Sequence, residues 1–287
     1  MVTYRVGCSG WSYDDWKGPF YPPDAAAGEF LGRYARVFDT VEVDSSFYRP
    51  PTPFLVRRWA SVTPPGFRFA LKVPRDVTHK TGPESPGALA QFLEGVSILA
   101  QADRLGPVVA QFPPSFKADE GRPHLEAILE SIPREYRLAV ELRHRSWWTE
   151  ATLTQLADRG AALVWSIYPG VHPPYAVTGD FLYARFVGDR ALTQFDRIQR
   201  DRRAEMEEMA RHFRTEGRSA AEVYALVNNH FMGYGPGAAQ MLREILGVGP
   251  TDLGAAQRAP GQATLDRTPG AGPSFSAAGG ARSTERS

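Results

Sequence analysis

Short apolar runs rich in β-branched and aromatic residues alternate along this chain with longer segments whose apolar residues recur at helical spacing. The apolar runs predict eight strands, at residues 4–9, 40–45, 67–73, 107–112, 137–142, 162–167, 181–186 and 222–227. The longer segments predict helices at residues 28–38, 54–61, 87–100, 124–132, 151–159, 199–215 and 238–246. Residues 168–179 hold three prolines and two glycines, so we expect a loop between strands six and seven.

This alternation predicts an α/β fold, a (β/α)8 TIM barrel, because an open parallel sheet more often ends with fewer strands. We assign the barrel to a single domain, residues 1–247. Residues 248–287 are dominated by Gly, Ala, Pro, Ser, Thr and Arg. They offer too little apolar surface to offset the entropy lost on ordering, so we expect a disordered tail. A chain that ends at Gly247 should then be as stable as the full chain.

Composition narrows the classes of partner. The 33 basic and 32 acidic residues give a net charge of +1, so any binding of nucleic acid must come from a local patch. The single cysteine, Cys8, excludes an intramolecular disulfide. The first residues contain no apolar signal core, and no apolar run approaches the ~20 residues that span a bilayer. We therefore expect a cytoplasmic location and no membrane partner, and the oligomeric state stays open.

Polar side chains cluster at the predicted strand ends, where parallel barrels place their ligand sites. Alternation in period two puts Glu141 and Arg143 on the same face of strand five. The side chains expected to converge on one mouth are Glu42, Asp44, Lys72, Gln111, Glu141, Arg143, Arg185, Asn228, Asn229 and His230. Buried charges must be paired, so the conservative interpretation is an internal lattice of salt bridges. As a set at strand ends, these residues favour a ligand site instead.

Cations at this mouth suit a phosphate, sulfate or carboxylate and oppose a divalent ion. Carboxylates and histidines of the type used by metal hydrolases are present, but they form no compact ligand motif. We therefore predict no cofactor and disfavour a metal. His79, after strand three, is a candidate general acid or base because its intrinsic pKa is near neutral; the alternative is a solvated loop histidine.

Aromatic residues follow several strands on the same side of the predicted barrel. Trp11, Tyr48 and Trp147 are the candidates for stacking on a sugar or a base. The alternative is that these rings seal the top of the barrel by burying large apolar area.

Several motifs resemble one family. The first motif comprises residues 7–13, Trp16 and residues 20–22. The others are residues 41–49, residues 111–116, residues 141–147, Lys72 together with residues 78–79, Tyr183 together with Arg185, and residues 228–229. Together they resemble the YecE-like family, domain of unknown function 72, from about residue 4 to 247. The resemblance implies a TIM barrel with a pocket at the strand ends, and it carries over no settled activity. Ser166, Val187 and His230 depart from the pattern, so a catalytic role of these positions in the family would imply an altered or inactive member.

Two hypotheses follow from these residues. The first is a hydrolase or lyase whose cations Lys72, Arg143 and Arg185 hold an anionic, phosphate-bearing substrate, with Glu141 or Glu42 as acid or base. The second is a non-catalytic binder of a phosphorylated ligand or nucleic acid, which uses the same cations with the aromatic rings as stacking surface.

Overall fold

A computed structural model describes residues 2–79, 86–249 and 251–259 of the chain. Eight strands form a closed barrel in chain order, and every neighbouring pair is parallel. The strands are β1 Thr3–Ser9, β2 Thr40–Val43, β3 Arg68–Lys72, β4 Leu105–Gln111, β5 Leu138–Glu141, β6 Ala162–Ile167, β7 Phe181–Phe186 and β8 Glu222–Val227. The TIM-barrel prediction is confirmed.

Helices surround the barrel, and short ones also follow several strands. They are α1 Phe30–Tyr34, α2 Ser45–Tyr48, α3 Pro53–Val62, α4 Arg75–Thr78, α5 Pro86–Gln101, α6 Ala118–Ser131, α7 Glu150–Arg159, α8 Arg203–Arg214, α9 Asn229–Met232 and α10 Gly235–Leu246. The crossover from β6 to β7 is fully described and contains no helix, as its prolines and glycines predict. Within the described ranges, no helix has the length and apolar character needed to cross a membrane.

The largest boundary differences have local causes. Helix α6 begins at Ala118, well before the predicted start at residue 124, and contains Pro123 as its sixth residue. Proline has no N–H and so cannot bond the carbonyl four residues earlier, which is why the sequence favoured a helix that starts after Pro123. The four-residue helices α2, α4 and α9 were not predicted, since they are too short to show a helical period.

The interior of the barrel has an apolar middle between two charged ends. The middle is filled by Ala70, Val109, Ala139, Ala162, Val164, Phe181, Tyr183, Tyr224 and Leu226. At the amino end of the strands, Glu222 pairs with Arg5 and Arg137. At the carboxyl end, Glu42, Lys72, Gln111, Glu141 and Arg185 are all buried. This second charged layer positions the candidate site.

The ordered chain extends past the predicted domain boundary at residue 247. A 3-10 turn, Leu253–Ala256, places Ala256 in a buried position near α1. Arg33 Nη1 donates to the carbonyl oxygens of Ala256 at 3.1 Å and Arg258 at 3.2 Å. Gln257 Nε2 donates to the Gly18 carbonyl at 2.9 Å. The predicted tail begins at residue 248, and its residues 260–287 lie outside the described residues.

This docking changes the prediction for truncation. Ending the chain at Gly247 removes the partners of Arg33 and the burial of Ala256, so we expect the free energy of unfolding to fall by about 1–2 kcal/mol. The melting temperature should fall by roughly 2–8 °C. A chain that ends at residue 259 is the control, and its melting temperature should equal that of the full chain. Equal melting of all three chains in differential scanning calorimetry would show that the turn adds no stability.

Candidate active site at the C-terminal mouth of the barrel

The ends of β2 and β3 are joined by the first residues of α2. Ser46 Oγ lies 2.7 Å from the Val43 carbonyl oxygen, and it accepts a hydrogen bond from the Lys72 backbone N–H at 2.9 Å. Asp44 stands at the amino end of this helix. The turn therefore brings the Asp44 carboxylate within 3.3 Å of Lys72 Nζ.

Arg185 lies at the centre of the buried charges. Its Nη2 donates to Glu42 Oε1 at 2.7 Å, and its Nη1 donates to Glu141 Oε2 at 2.7 Å. Its Nε also contacts Glu42 Oε1 at 3.2 Å, and Nη1 contacts Gln111 Oε1 at 3.2 Å. The side chain is 3% exposed. One guanidinium from β7 thus joins two carboxylates from β2 and β5 across the barrel.

The second oxygens of both carboxylates are also engaged. Tyr183 OH donates to Glu42 Oε2 at 2.8 Å, and Ser9 Oγ donates to Glu42 Oε1 at 2.9 Å. Arg143 Nε donates to Glu141 Oε1 at 2.8 Å. Lys72 Nζ, in turn, donates to Gln111 Oε1 at 2.9 Å. Three carboxylates and three cations therefore balance one another in a salt-bridge network, which we call the mouth network (Glu42, Asp44, Lys72, Glu141, Arg143 and Arg185).

Burial and neighbouring charge act against each other on these groups. Burial alone would raise the pKa of Glu141, but the charges of Arg185, Arg143 and Lys72 lower it to about 2. Burial likewise opposes ionisation of Asp44, yet Lys72 and Arg185 hold the pKa of Asp44 below its usual value. Burial lowers the pKa of Lys72, although Asp44 partly offsets the effect. Both carboxyls are therefore ionised at neutral pH, and the Lys72 ammonium releases its proton more readily than a surface lysine.

Above the mouth network lies a cavity of about 380 Å³. Its charged lining consists of Asp44, Lys72, Arg143, Arg185 and Arg190, and the imidazole of His230 also lines it. The polar and apolar lining adds Tyr13, Tyr48, Gln111, Tyr168, Val187, Phe195, Asn228 and Asn229. Asp44 is the one carboxylate among the described lining residues, and its side chain is 28% exposed. The cavity thus combines several cations with one accessible carboxylate.

The β8 end supplies the far wall of the cavity. Asn228 caps α9, because its Oδ1 accepts a hydrogen bond from the His230 backbone N–H at 3.0 Å. Asn229 Oδ1 accepts hydrogen bonds from Gly235 N at 2.8 Å and Trp16 Nε1 at 3.2 Å. These bonds fix both asparagines against the loops that follow β1 and β8.

The predicted catalytic residues do not face the cavity. Glu42 and Glu141 are absent from the described lining, and their oxygens accept hydrogen bonds within the mouth network, so their catalytic role stays a prediction. His79 is half-buried outside the cavity lining, where its Nδ1 lies 2.9 Å from Thr78 Oγ1 and its ring meets Phe47 edge-on. Burial, with Arg75, Arg143 and Lys72, lowers the pKa of His79 to about 4, so the ring is neutral at pH 7.

Most of the predicted binding residues do line the cavity. Those that do are Lys72, Gln111, Arg143, Arg185, Asn228, Asn229 and Tyr48, whose side chain projects into solvent at 69% exposure. The two tryptophans lie elsewhere, which corrects their predicted placement. Trp147 is buried, stacks on Phe116 at 5.0 Å and donates to its carbonyl oxygen at 2.8 Å. Trp11 meets Trp59 edge-on at 5.4 Å, so Trp11 and Trp147 each pack on another aromatic ring outside the described lining.

Sequence reasoning missed part of the lining. Tyr168, Arg190 and Phe195 come from the loops after β6 and β7, which carry no periodic signal. Val187, noted as a departure from the family pattern, and His230, expected at the end of strand eight, also line the cavity, and Ser166 is buried beside Arg185 in the β6–β7 register. Position was the usable signal, since Val187 directly follows β7 and His230 comes three residues after the end of β8.

Among the described residues, no group of three or more His, Cys, Asp or Glu side chains is arranged to hold a metal ion. The cations beside Asp44 also oppose a divalent ion at that carboxylate. The expectation of no cofactor stays a prediction.

The closed barrel and its charged mouth define a TIM-barrel protein with a candidate enzyme site. Residues 5–264 match the family described as protein of unknown function DUF72, and the chain belongs to that family.

Relatives and solved structures agree with this assignment. UPF0759 protein YecE of Escherichia coli K12 is 34% identical over 131 residues, 45% of this chain and 47% of that protein. UPF0759 protein YunF of Bacillus subtilis is 26% identical over 164 residues, 54% of this chain and 57% of that protein. The match therefore spans about half the length of these curated relatives. A crystal structure of a DUF72 family protein from Thermotoga maritima is 31% identical, with a TM-score of 0.72, and covers 85% of this chain and 99% of that one.

The mouth network predicts a large effect of removing Arg185. Arg185→Ala leaves Glu42 and Glu141 buried without their shared cation, so we expect a loss of about 3–5 kcal/mol in the free energy of unfolding. Urea denaturation at pH 7 measures it. Arg57→Ala, at an exposed arginine on α3, is the matched control and should change stability by less than about 0.5 kcal/mol. A small effect at Arg185 would mean that the carboxylates relax or take up protons easily.

The lowered pKa of Glu141 predicts a pH dependence. Its ordinary pKa of 4.5 falls to about 2 in the folded chain, so ionised Glu141 contributes stability above about pH 4.5. That contribution should be lost as the pH falls from 4.5 towards 2. The stability difference between the wild type and Glu141→Gln should shrink over this window. Glu130→Gln, at an exposed carboxylate of α6, should show no such trend in parallel urea titrations. A difference that stays constant with pH would exclude an ionised Glu141 as the source.

Proposed function

We propose that this chain is a hydrolase or lyase that acts on a small anionic, phosphate-bearing substrate in the cavity at the barrel mouth. The observation that carries the proposal is the Asp44–Lys72 pair on the wall of a cavity that arginines also line. An accessible carboxylate beside an amine of lowered pKa is a suitable arrangement for proton transfer.

Arg143 and Arg190 are the groups best suited to bind the anion. Arg143 uses Nε for Glu141, and its Nη1 and Nη2 have no hydrogen-bond partner in the described part of the chain. Its guanidinium stacks over the Tyr168 ring at 4.8 Å, which orients the free edge. Arg190 is exposed, and no carboxylate of the described chain lies within salt-bridge distance of it. A guanidinium edge matches the geometry of a phosphate.

Arg185 is less available for this role than the sequence suggested. All three of its nitrogens contact Glu42, Glu141 or Gln111. Because three carboxylates balance the three cations of the mouth network, the anion is attracted mainly by Arg190 and by the outer edge of Arg143. Lys72 and Asp44 then replace Glu141 and Glu42 as the candidate proton-transfer groups.

The alternative is a non-catalytic binder of a phosphorylated ligand. The same cations would serve it, so binding alone cannot separate the two. Nucleic acid is the less favoured ligand, because Trp11 and Trp147 do not line the cavity and only Tyr48 offers a strongly exposed ring there.

Asp44→Asn separates chemistry from binding. The variant keeps the size of the side chain but loses its charge, so we expect turnover to fall about a hundredfold or more while phosphate binds no more weakly. Arg143→Ala should instead weaken phosphate binding about ten- to hundredfold. Turnover is measured on phosphatase, nuclease, glycosidase and sugar-phosphate lyase substrates, and phosphate affinity by calorimetry. Asp24→Asn and Arg57→Ala, at exposed residues outside the cavity lining, are the matched controls.

Each outcome decides between the hypotheses. Phosphate binding that depends on Arg143, without turnover of any substrate, would favour the binder. Turnover that survives in Asp44→Asn would remove Asp44 from the chemistry. A wild type that neither binds phosphate nor turns over any substrate would contradict the proposal.

A further inference from the structure

Asn229 carries a buried donor that the fold does not use. The residue is 2% exposed and lines the cavity, and its Nδ2 has no hydrogen-bond partner among the described residues. Both partners of its Oδ1, Gly235 N and Trp16 Nε1, are N–H donors, so the amide oxygen must face them. The orientation of the amide is thereby fixed. A buried amide N–H without a partner is costly, so an acceptor that reached Nδ2 would remove this cost.

His230, the next residue, offers the complementary acceptor. Its Nδ1 lies 2.9 Å from the Leu192 carbonyl oxygen, and a carbonyl only accepts, so Nδ1 carries the proton. In the neutral ring Nε2 is then an acceptor, and no partner for it occurs within the described ranges. The Phe195 ring meets the imidazole edge-on at 5.0 Å and holds its plane.

Burial keeps the imidazole of His230 neutral. Burial lowers the pKa of His230 below its ordinary value, and Arg190 lowers it further, while the Leu192 carbonyl, Asp189 and Asp44 act in the opposite direction. The net shift is downward, so Nε2 keeps its lone pair at pH 7.

We propose that Asn229 Nδ2 and His230 Nε2 form a subsite for a hydroxyl group of the substrate. A hydroxyl both accepts a hydrogen bond from an amide N–H and donates one to an imidazole nitrogen. A phosphate dianion has no proton to donate, and an ammonium has no lone pair, so neither satisfies both groups. The inference rests on the proposed anion site and narrows its substrate to a hydroxylated small anion, such as a polyol phosphate or a hydroxy acid.

Matched ligand pairs test the subsite. Glycerol 3-phosphate is compared with n-propyl phosphate, which has the same chain without hydroxyls, and glycerate is compared with propanoate. We expect the hydroxylated member of at least one pair to bind about tenfold more tightly in calorimetry, which corresponds to one or two hydrogen bonds. The pair that shows the preference identifies phosphate or carboxylate as the anionic group.

Two variants assign the preference to this wall. Asn229→Asp keeps an oxygen for Gly235 and Trp16 but replaces the free donor, and His230→Phe removes Nε2 while keeping a planar ring. In each variant, the hydroxylated ligand of the preferred pair should bind about as tightly as its hydroxyl-free partner. A change in anion binding affects both ligands equally and leaves their affinity ratio unchanged. Gln101→Glu and His172→Phe, at exposed positions outside the cavity lining, should leave the ratio unchanged. Melting curves confirm that each variant folds, and either variant is sufficient for the test.

The outcomes distinguish this inference from the proposed function. Equal binding within both pairs would overturn the hydroxyl subsite while the anion site stands. A hydroxyl preference that survives in both variants would place the subsite on another wall and would also overturn the inference. Failure of all four ligands and of inorganic phosphate to bind would overturn the anion site together with the subsite.

Discussion

The buried guanidinium of Arg185, held between the carboxylates of Glu42 and Glu141, is the interaction on which the barrel mouth depends. Two carboxylates at the carboxyl ends of β2 and β5 would be strongly unfavourable in this interior without a shared cation. Arg185 provides that cation from β7, and its planar fork reaches both at once. The charges of three strands across the barrel are thus fixed relative to one another, and the loops above them are built on a rigid base.

The arrangement around Arg185 separates the charged groups that are fully engaged within the protein from those that face the cavity. Because Glu42 and Glu141 use their oxygens for Arg185, Arg143, Tyr183 and Ser9, they hold the cations in place. The groups left facing the cavity are Asp44 with Lys72 on one wall, the outer edge of Arg143, and the β8 wall. In the proposed function, Arg185 with Glu42 and Glu141 therefore orients the site, while Asp44, Lys72, Arg143 and the β8 wall carry the chemistry and the recognition.

Much of this architecture could be predicted from the sequence, because strand alternation in period two fixes which side chains point into a barrel. The convergence of Lys72, Gln111, Arg143 and Arg185 on one cavity followed from their positions at strand ends. Their pairing did not, since it depends on distances across the closed barrel. Trp147 shares a segment with Glu141, yet a 3-10 turn directs it onto Phe116, and such turns leave no periodic trace. The docking of Ala256 depends on Arg33, which lies far away in sequence.

A crystal structure with a bound oxyanion such as sulfate or tungstate tests this division of roles most directly. The predicted result is an anion held by the outer edge of Arg143, with Arg190 and Lys72 nearby, while Arg185 still joins Glu42 to Glu141. An anion bound to Arg185 with Glu42 or Glu141 displaced would contradict the account, because Arg185 and its two carboxylates would then belong to the ligand site and would not support it.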